Sequence, residues 1–208
     1  MESRLSSSLS QQIVNLNNAG VSALAASDEA IALRTFKSAL MMMGSAQDIG
    51  MLDIMNCLSP ASPLCGLQDP YFYVYNRPFL LGPSGQTAIP LIHACLMFNL
   101  GLTFHHRGHQ CGDSSKLVKA LRLYDLAAQV VLESSPSFSA IALAALNNQA
   151  HIYHCFADYA QSQERLERVR ECADLVLDEG SVPVLQSDLN EIWLNVAIVR
   201  PPTLAPCA

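Results

Sequence analysis

Apolar residues return at three- and four-residue intervals through most of the chain, with one long break. Ile13, Leu16, Gly20, Ala23 and Leu24 form one stripe, and Ala32, Phe36, Ala39 and Leu40 form a second beyond Ala26-Ser27-Asp28-Glu29. This spacing places the apolar set on one side of an α-helix and predicts two helices, the first ending near Ala26-Ser27 and the second near Met43-Gly44. Ser27 is the expected N-cap, with the carboxylates of Asp28 and Glu29 in the first turn of the second helix. The helical period resumes at about Ala88 and runs through Leu96, Leu100 and Phe104 to His106, where Arg107 to Asp113 reads as a loop. A helix from 114 or 115 to 132 follows, carrying Ala120, Tyr124 and Ala127 at the offsets of Ala32, Phe36 and Ala39. A third pair covers 138–156 and 159–177, its second helix carrying Ser162, Leu166 and Val169. Gly180 is the expected stop, and a last helix with Leu189, Ile192, Trp193, Val196 and Val199 along one side ends at Pro201-Pro202.

The break, residues 44–87, holds five of the eleven prolines. Its one orderly piece is Tyr71-Phe72-Tyr73-Val74-Tyr75, a turn signal Asn76-Arg77-Pro78, and Phe79-Leu80-Leu81, which read as one or two short strands. A hairpin alone is marginal in water, so this piece must lean on the helices. It can pack against the outside of the first helix pair, lie in a groove as a built-in ligand, or offer a strand edge to a partner; packing outside is the expectation. Residues 1–10 are Ser-rich and expected to be flexible, and 201–208 form a tail.

With 208 residues, 50% hydrophobic and 14% charged, the chain is expected to fold as one domain over 11–200. A net charge of -6, with 12 basic residues spread along the sequence, speaks against a nucleic-acid partner. No apolar run approaches a membrane span or a secretory signal, so a cytoplasmic or nuclear protein is expected. Seven irregularly spaced cysteines without a CxxC pair fit free thiols in a reducing compartment.

Asn17-Asn18-Ala19-Gly20, Phe98-Asn99-Leu100-Gly101 and Asn147-Asn148-Gln149-Ala150 share a grammar, an Asn two residues before a small residue. The small residue precedes the small residue of the following helix by twelve positions in the first and third copies (Gly20 to Ala32, Ala150 to Ser162) and by nineteen in the second (Gly101 to Ala120). These helix pairs resemble the tetratricopeptide repeat, a helix-turn-helix unit of about 34 residues. The preferred Trp of that family is replaced by Leu16, Met97 and Leu146, and the second copy carries an insertion in its turn. The resemblance implies an all-α, right-handed solenoid of three helix pairs (11–43, 88–132, 138–177), interrupted by a β-like insertion at 44–87 and closed by a capping helix at 187–199. A generic helical bundle is the alternative.

That architecture implies a concave groove lined by the first helix of each pair, and a non-catalytic scaffold or adaptor that binds a protein or peptide there. Asn18, Asn99 and Asn148 would face it, with Asn17, Val21, Phe98, Leu102, Asn147, His105, His151 and His154 beside them. An Asn amide offers a donor and an acceptor, which suits the main chain of an extended peptide; the same residues could instead bond only between helices. The basic pair with which some family members clamp a terminal carboxylate is missing, since Asn17, Val21, Ala144 and Asn148 stand at those positions and only Asn99 matches. The capping helix could also serve as a homodimer surface.

The competing reading is a metal protein or enzyme using His105, His106, His109 and Cys111 with His151, His154 and Cys155. No spacing matches a zinc motif, adjacent His105 and His106 diverge by about 100° on a helix, and a helical Cys such as Cys155 is more often packing than nucleophile. With no phosphate loop, nucleophile elbow or carboxylate pair, the expectation is of no catalysis, no cofactor and no metal.

Overall fold

The computed structural model describes residues 2–44, 58–82, 89–134, 139–178 and 186–198. Within them the chain is helical apart from the segment 58–82, and the helices are α1 (Glu2–Ala25), α2 (Glu29–Gly44), α3 (Ile89–Cys111), α4 (Ser114–Ser134), α5 (Ser139–Cys155), α6 (Tyr159–Asp178) and α7 (Gln186–Ile198). Each packs against the next in sequence, and α1, α3 and α5 also touch in succession. Their shared core includes Phe36, Phe98, Tyr124, Ile141 and Leu143, each fully buried. The expected ends at Gly180, Val199 and Pro201-Pro202, and the 201–208 tail, lie outside the described residues.

Close approach within a pair depends on the small residues. A Cβ on Gly20 would stand 2.5 Å from Phe36 Cε1, and one on Gly101 3.0 Å from Tyr124 Cε1. In the third pair the Ser162 hydroxyl donates to the Ala150 carbonyl across the same contact at 2.9 Å.

The three hairpin turns share one construction. Ser27, Gly112 and Ala157 adopt left-handed φ values of 60°, 63° and 57°. The amide of the Asp that follows each one, Asp28, Asp113 or Asp158, closes on the carbonyl five residues back, at Ala23, Gly108 or Tyr153. This satisfies the orphan carbonyls of one helix, and the Asp carboxylate then caps the next by accepting from Ile31, Ser115 or Gln161. The expected N-cap Ser27 is therefore corrected: Ser27 supplies the left-handed residue and Asp28 is the cap.

Two further expectations change. α1 begins at Glu2, within the stretch expected to be a flexible arm, and Leu9 extends the Ile13 stripe by one turn and packs on the core. The loop expected at 107–113 is mostly helix. Gly20 and Ala150 each precede the capping Asp by eight residues, but Gly101 does so by twelve; Asp113 then precedes Ala120 by seven, where the other copies have four. The surplus thus adds about one turn to each helix of the pair and keeps their facing sides in phase.

In segment 58–82, β1 (Leu58–Pro60) pairs antiparallel with β2 (Phe79–Leu81) in the register Leu58↔Leu81, Ser59↔Leu80 and Pro60↔Phe79. Amide bonds from Ala61 to the Pro78 carbonyl and from Leu64 to the Asn76 carbonyl continue the pairing. Tyr71 and Phe72 form a bend and Tyr73 to Tyr75 belong to no strand, so the strand expected at 71–75 is not formed.

Candidate functional site

Residues 73–81 do not pack outside the first helix pair, as expected, but run across α7, α5, α3 and α1 in turn, held by asparagines from all four. Asn195 Oδ1 accepts from the Tyr73 amide at 2.9 Å and its Nδ2 donates to the Tyr73 carbonyl at 2.7 Å. Asn148 does the same for Tyr75, at 2.9 Å in both directions. Asn99 holds Phe79 with two bonds of 2.8 Å, and Asn18 holds Leu81 with bonds of 3.0 and 2.8 Å. Each amide takes both main-chain groups of one residue, as a facing residue on a β-strand would. The missing partner strand of Tyr73 and Tyr75 is thereby replaced by side chains.

The remaining candidates brace this ladder. Asn17 Nδ2 donates to the Phe79 carbonyl at 3.0 Å, and its Oδ1 accepts from Asn99 at 2.9 Å. Asn147 donates to the Tyr73 carbonyl and accepts from Asn195. Phe98 sits under the strap, its ring centroid 5.0 Å from Phe79 and 5.9 Å from Tyr75. Val21 and Leu102 are buried in the core. The Cys95 thiol lies 3.4 Å from the Phe79 carbonyl, and burial raises its pKa far above the ordinary value. At the α7 end the Tyr73 hydroxyl donates to Asp188 at 2.8 Å; burial and that carboxylate both raise the phenol pKa.

Asn195 was missed from sequence, although Asn195-Val196-Ala197 obeys the same grammar of an Asn two residues before a small residue. The apolar side of α7, expected as a cap or a homodimer surface, turns inward. Its Leu189, Ile192 and Val196 are buried within the chain, so most of the face offered as a dimer surface is covered.

A second polar cluster continues from the ladder. Asn148 Nδ2 also reaches the Tyr124 hydroxyl at 3.2 Å, and that oxygen lies 3.3 Å from His105 Nδ1. His105 Nε2 faces His151 Nδ1 at 3.0 Å. His151 Nε2 in turn faces both Asp69 Oδ2, at 3.3 Å, and Cys155 Sγ, at 3.5 Å. Burial holds His105 well below the ordinary imidazole pKa and takes His151 down to about 4, against the opposing pull of Asp69. Burial raises the Asp69 carboxyl, but the Tyr71 amide and His151 more than offset it, leaving it lowered. Cys155 is an exposed residue whose thiol turns toward His151; burial of that thiol, then the Asp69 charge, raises its pKa.

His109 joins this group, its ring centroid 5.7 Å from that of His151. Ligand atoms of His109, His151 and Cys155 lie within 4.8 Å of one another. His109 arrives there on the added turn of α3. His106 points elsewhere, its Nδ1 on Glu29 at 2.8 Å and its Nε2 on the Cys65 carbonyl, and Cys111 is an exposed free thiol. His154 packs its ring against Phe72 and Tyr159. Asp69 and Tyr124 were not foreseen as members, because partners 82 and 19 residues away leave no local pattern.

Cys155 and Asp69 share one nitrogen of His151, whereas a nucleophilic triad places its acid on the ring nitrogen opposite the nucleophile. Together with the raised thiol pKa, this geometry does not activate Cys155. Compared with protein-family models, curated proteins and solved structures, the chain shows no significant match to any. No helix among the described residues is long and apolar enough to cross a membrane.

Proposed function

We propose that this protein is a non-catalytic interaction module, a scaffold of tetratricopeptide-like helix pairs stacked as a right-handed solenoid, whose asparagine face grips extended polypeptide. The observation that carries the reading is the ladder of Asn18, Asn99, Asn148 and Asn195. Each amide takes the N–H and C=O of one residue, so the grip addresses main chain and accepts varied side chains. The consecutive packing of the helices and the Gly20–Phe36 and Gly101–Tyr124 contacts support the architecture. The unactivated Cys155 thiol supports the absence of catalysis.

In this reading the strap 73–81 is a resident ligand, and a partner's extended segment competes for its place. Such a segment carries residues other than proline at the clamped positions, so that each clamped residue has an N–H to donate. It also carries aromatic side chains where Tyr75 and Phe79 now fill buried space. The test introduces a protease site at the exposed Ser62-Pro63 and another within 83–88, cuts the folded protein, and adds a labelled peptide of residues 71–82. Saturable one-to-one uptake with release of the resident strap is expected. A cut protein that remains folded and takes up no peptide would reduce the ladder to a structural brace.

A further inference from the structure

We propose that His109, His151 and Cys155 form a zinc site that joins α3 to α5, with the fourth position of the tetrahedron open to water. Zinc bound by imidazole and thiolate has Zn–N near 2.05 Å and Zn–S near 2.3 Å, so a tetrahedral site has N···S edges of roughly 3.5 Å and N···O edges of roughly 3.3 Å. From His151 Nε2 the observed separation to Cys155 Sγ is 3.5 Å, the length of such an N···S edge. His109 brings a third ligand atom within 4.8 Å of those of His151 and Cys155.

The surroundings suit a metal. Two neutral imidazoles and one thiolate leave one positive charge on the filled site, and the Asp69 carboxylate, 3.3 Å from His151 Nε2, offsets it from outside the ligand set. The other nitrogen of His151 is held by His105 Nε2, and His105 by the Tyr124 hydroxyl, which fixes the orientation of the buried ring as supporting partners of metal ligands do. Binding displaces the Cys155 proton to solvent and leaves Nε2 of His151 as the donor. Cys155 is exposed and His109 half-buried, which gives an ion a path in. This goes beyond the peptide-gripping reading and does not depend on it.

The whole chain, reduced and under anaerobic conditions, is titrated with Co²⁺ as a coloured substitute for Zn²⁺, and bound cobalt is then displaced with Zn²⁺. One equivalent is expected, with visible bands of tetrahedral intensity and a thiolate-to-cobalt charge-transfer band in the near ultraviolet. Cys155→Ser abolishes the charge-transfer band, and His109→Ala and Asp69→Asn weaken binding by roughly 10–100-fold or more, while circular dichroism reports each variant folded. The Cys65→Ser/Cys111→Ser double variant keeps the full spectrum. Absence of stoichiometric binding, an octahedral spectrum, or a charge-transfer band that survives in Cys155→Ser would overturn the site.

Discussion

Asn99 holds Phe79 by both of its main-chain polar groups, the Phe79 N–H donating to Oδ1 and the Phe79 carbonyl accepting from Nδ2, each at 2.8 Å. Both residues are fully buried, so water cannot replace either bond. Asn99→Ala strands the Phe79 N–H and is expected to destabilise the protein by about 2–3 kcal/mol. Asn18, half-buried at the end of the ladder, can pass its bonds to solvent, and Asn18→Ala is expected to cost about 1 kcal/mol or less. Urea unfolding midpoints check the order; equal losses at the two positions would show that burial does not grade the ladder.

Cys95 lies beneath the strap and reports on it. In the native protein Cys65 and Cys111, both exposed, are expected to react quickly with an alkylating reagent while Cys95 stays protected. Asn148→Ala loosens the strap at Tyr75 and is expected to accelerate Cys95 labelling before global unfolding. Peptide-resolved mass spectrometry distinguishes this from labelling that tracks only the unfolding midpoint.

Gly20→Ala would raise intrinsic helix propensity by about 1 kcal/mol at an open position. Here the new methyl meets the buried Phe36 ring at 2.5 Å, and overpacking of this kind costs about 1–3 kcal/mol. A net loss is expected, with a smaller one for Gly101→Ala, where the contact is 3.0 Å. Adding Phe36→Leu should cancel the Gly20→Ala penalty in a double-mutant cycle; additive losses would place the strain elsewhere.

Ser27 and Ala157 occupy a backbone region that suits glycine. Ser27→Gly and Ala157→Gly are each expected to stabilise by about 0.5–1 kcal/mol, relief of the left-handed strain exceeding the added chain entropy. Asp158→Ala removes the cap on Gln161 and is expected to cost about 0.5–2 kcal/mol. Thermal unfolding of the three variants, with shifts of opposite sign, checks the shared turn.

The helices were legible because Phe36, Tyr124 and Leu166 recur at one offset from small residues, and burial enforces that period. The turns were half legible: an Asp stands at each cap, but the left-handed residue before it can be Ser, Gly or Ala, which no composition rule selects. The placement of the strap was not legible. Its aromatic residues suggested a hairpin, and pairing of Tyr75 with Asn148 rather than with another strand leaves no periodic trace. The approach of His105 to His151 was equally hidden, since helix packing and not spacing joins residues 46 positions apart.

The order in which the ladder can form is set by the order in which the chain is made. Asn18 is synthesised before Leu81, but Phe79 waits for Asn99, Tyr75 for Asn148, and Tyr73 for Asn195, which comes 122 residues later. At a translation rate of about 5–20 residues per second, that last wait is roughly 6–24 s. The order of synthesis therefore permits the strap to close from Leu81 back toward Tyr73, against the direction of the chain. Only Tyr73 must wait for α7, since α3 and α5 can already hold Phe79 and Tyr75.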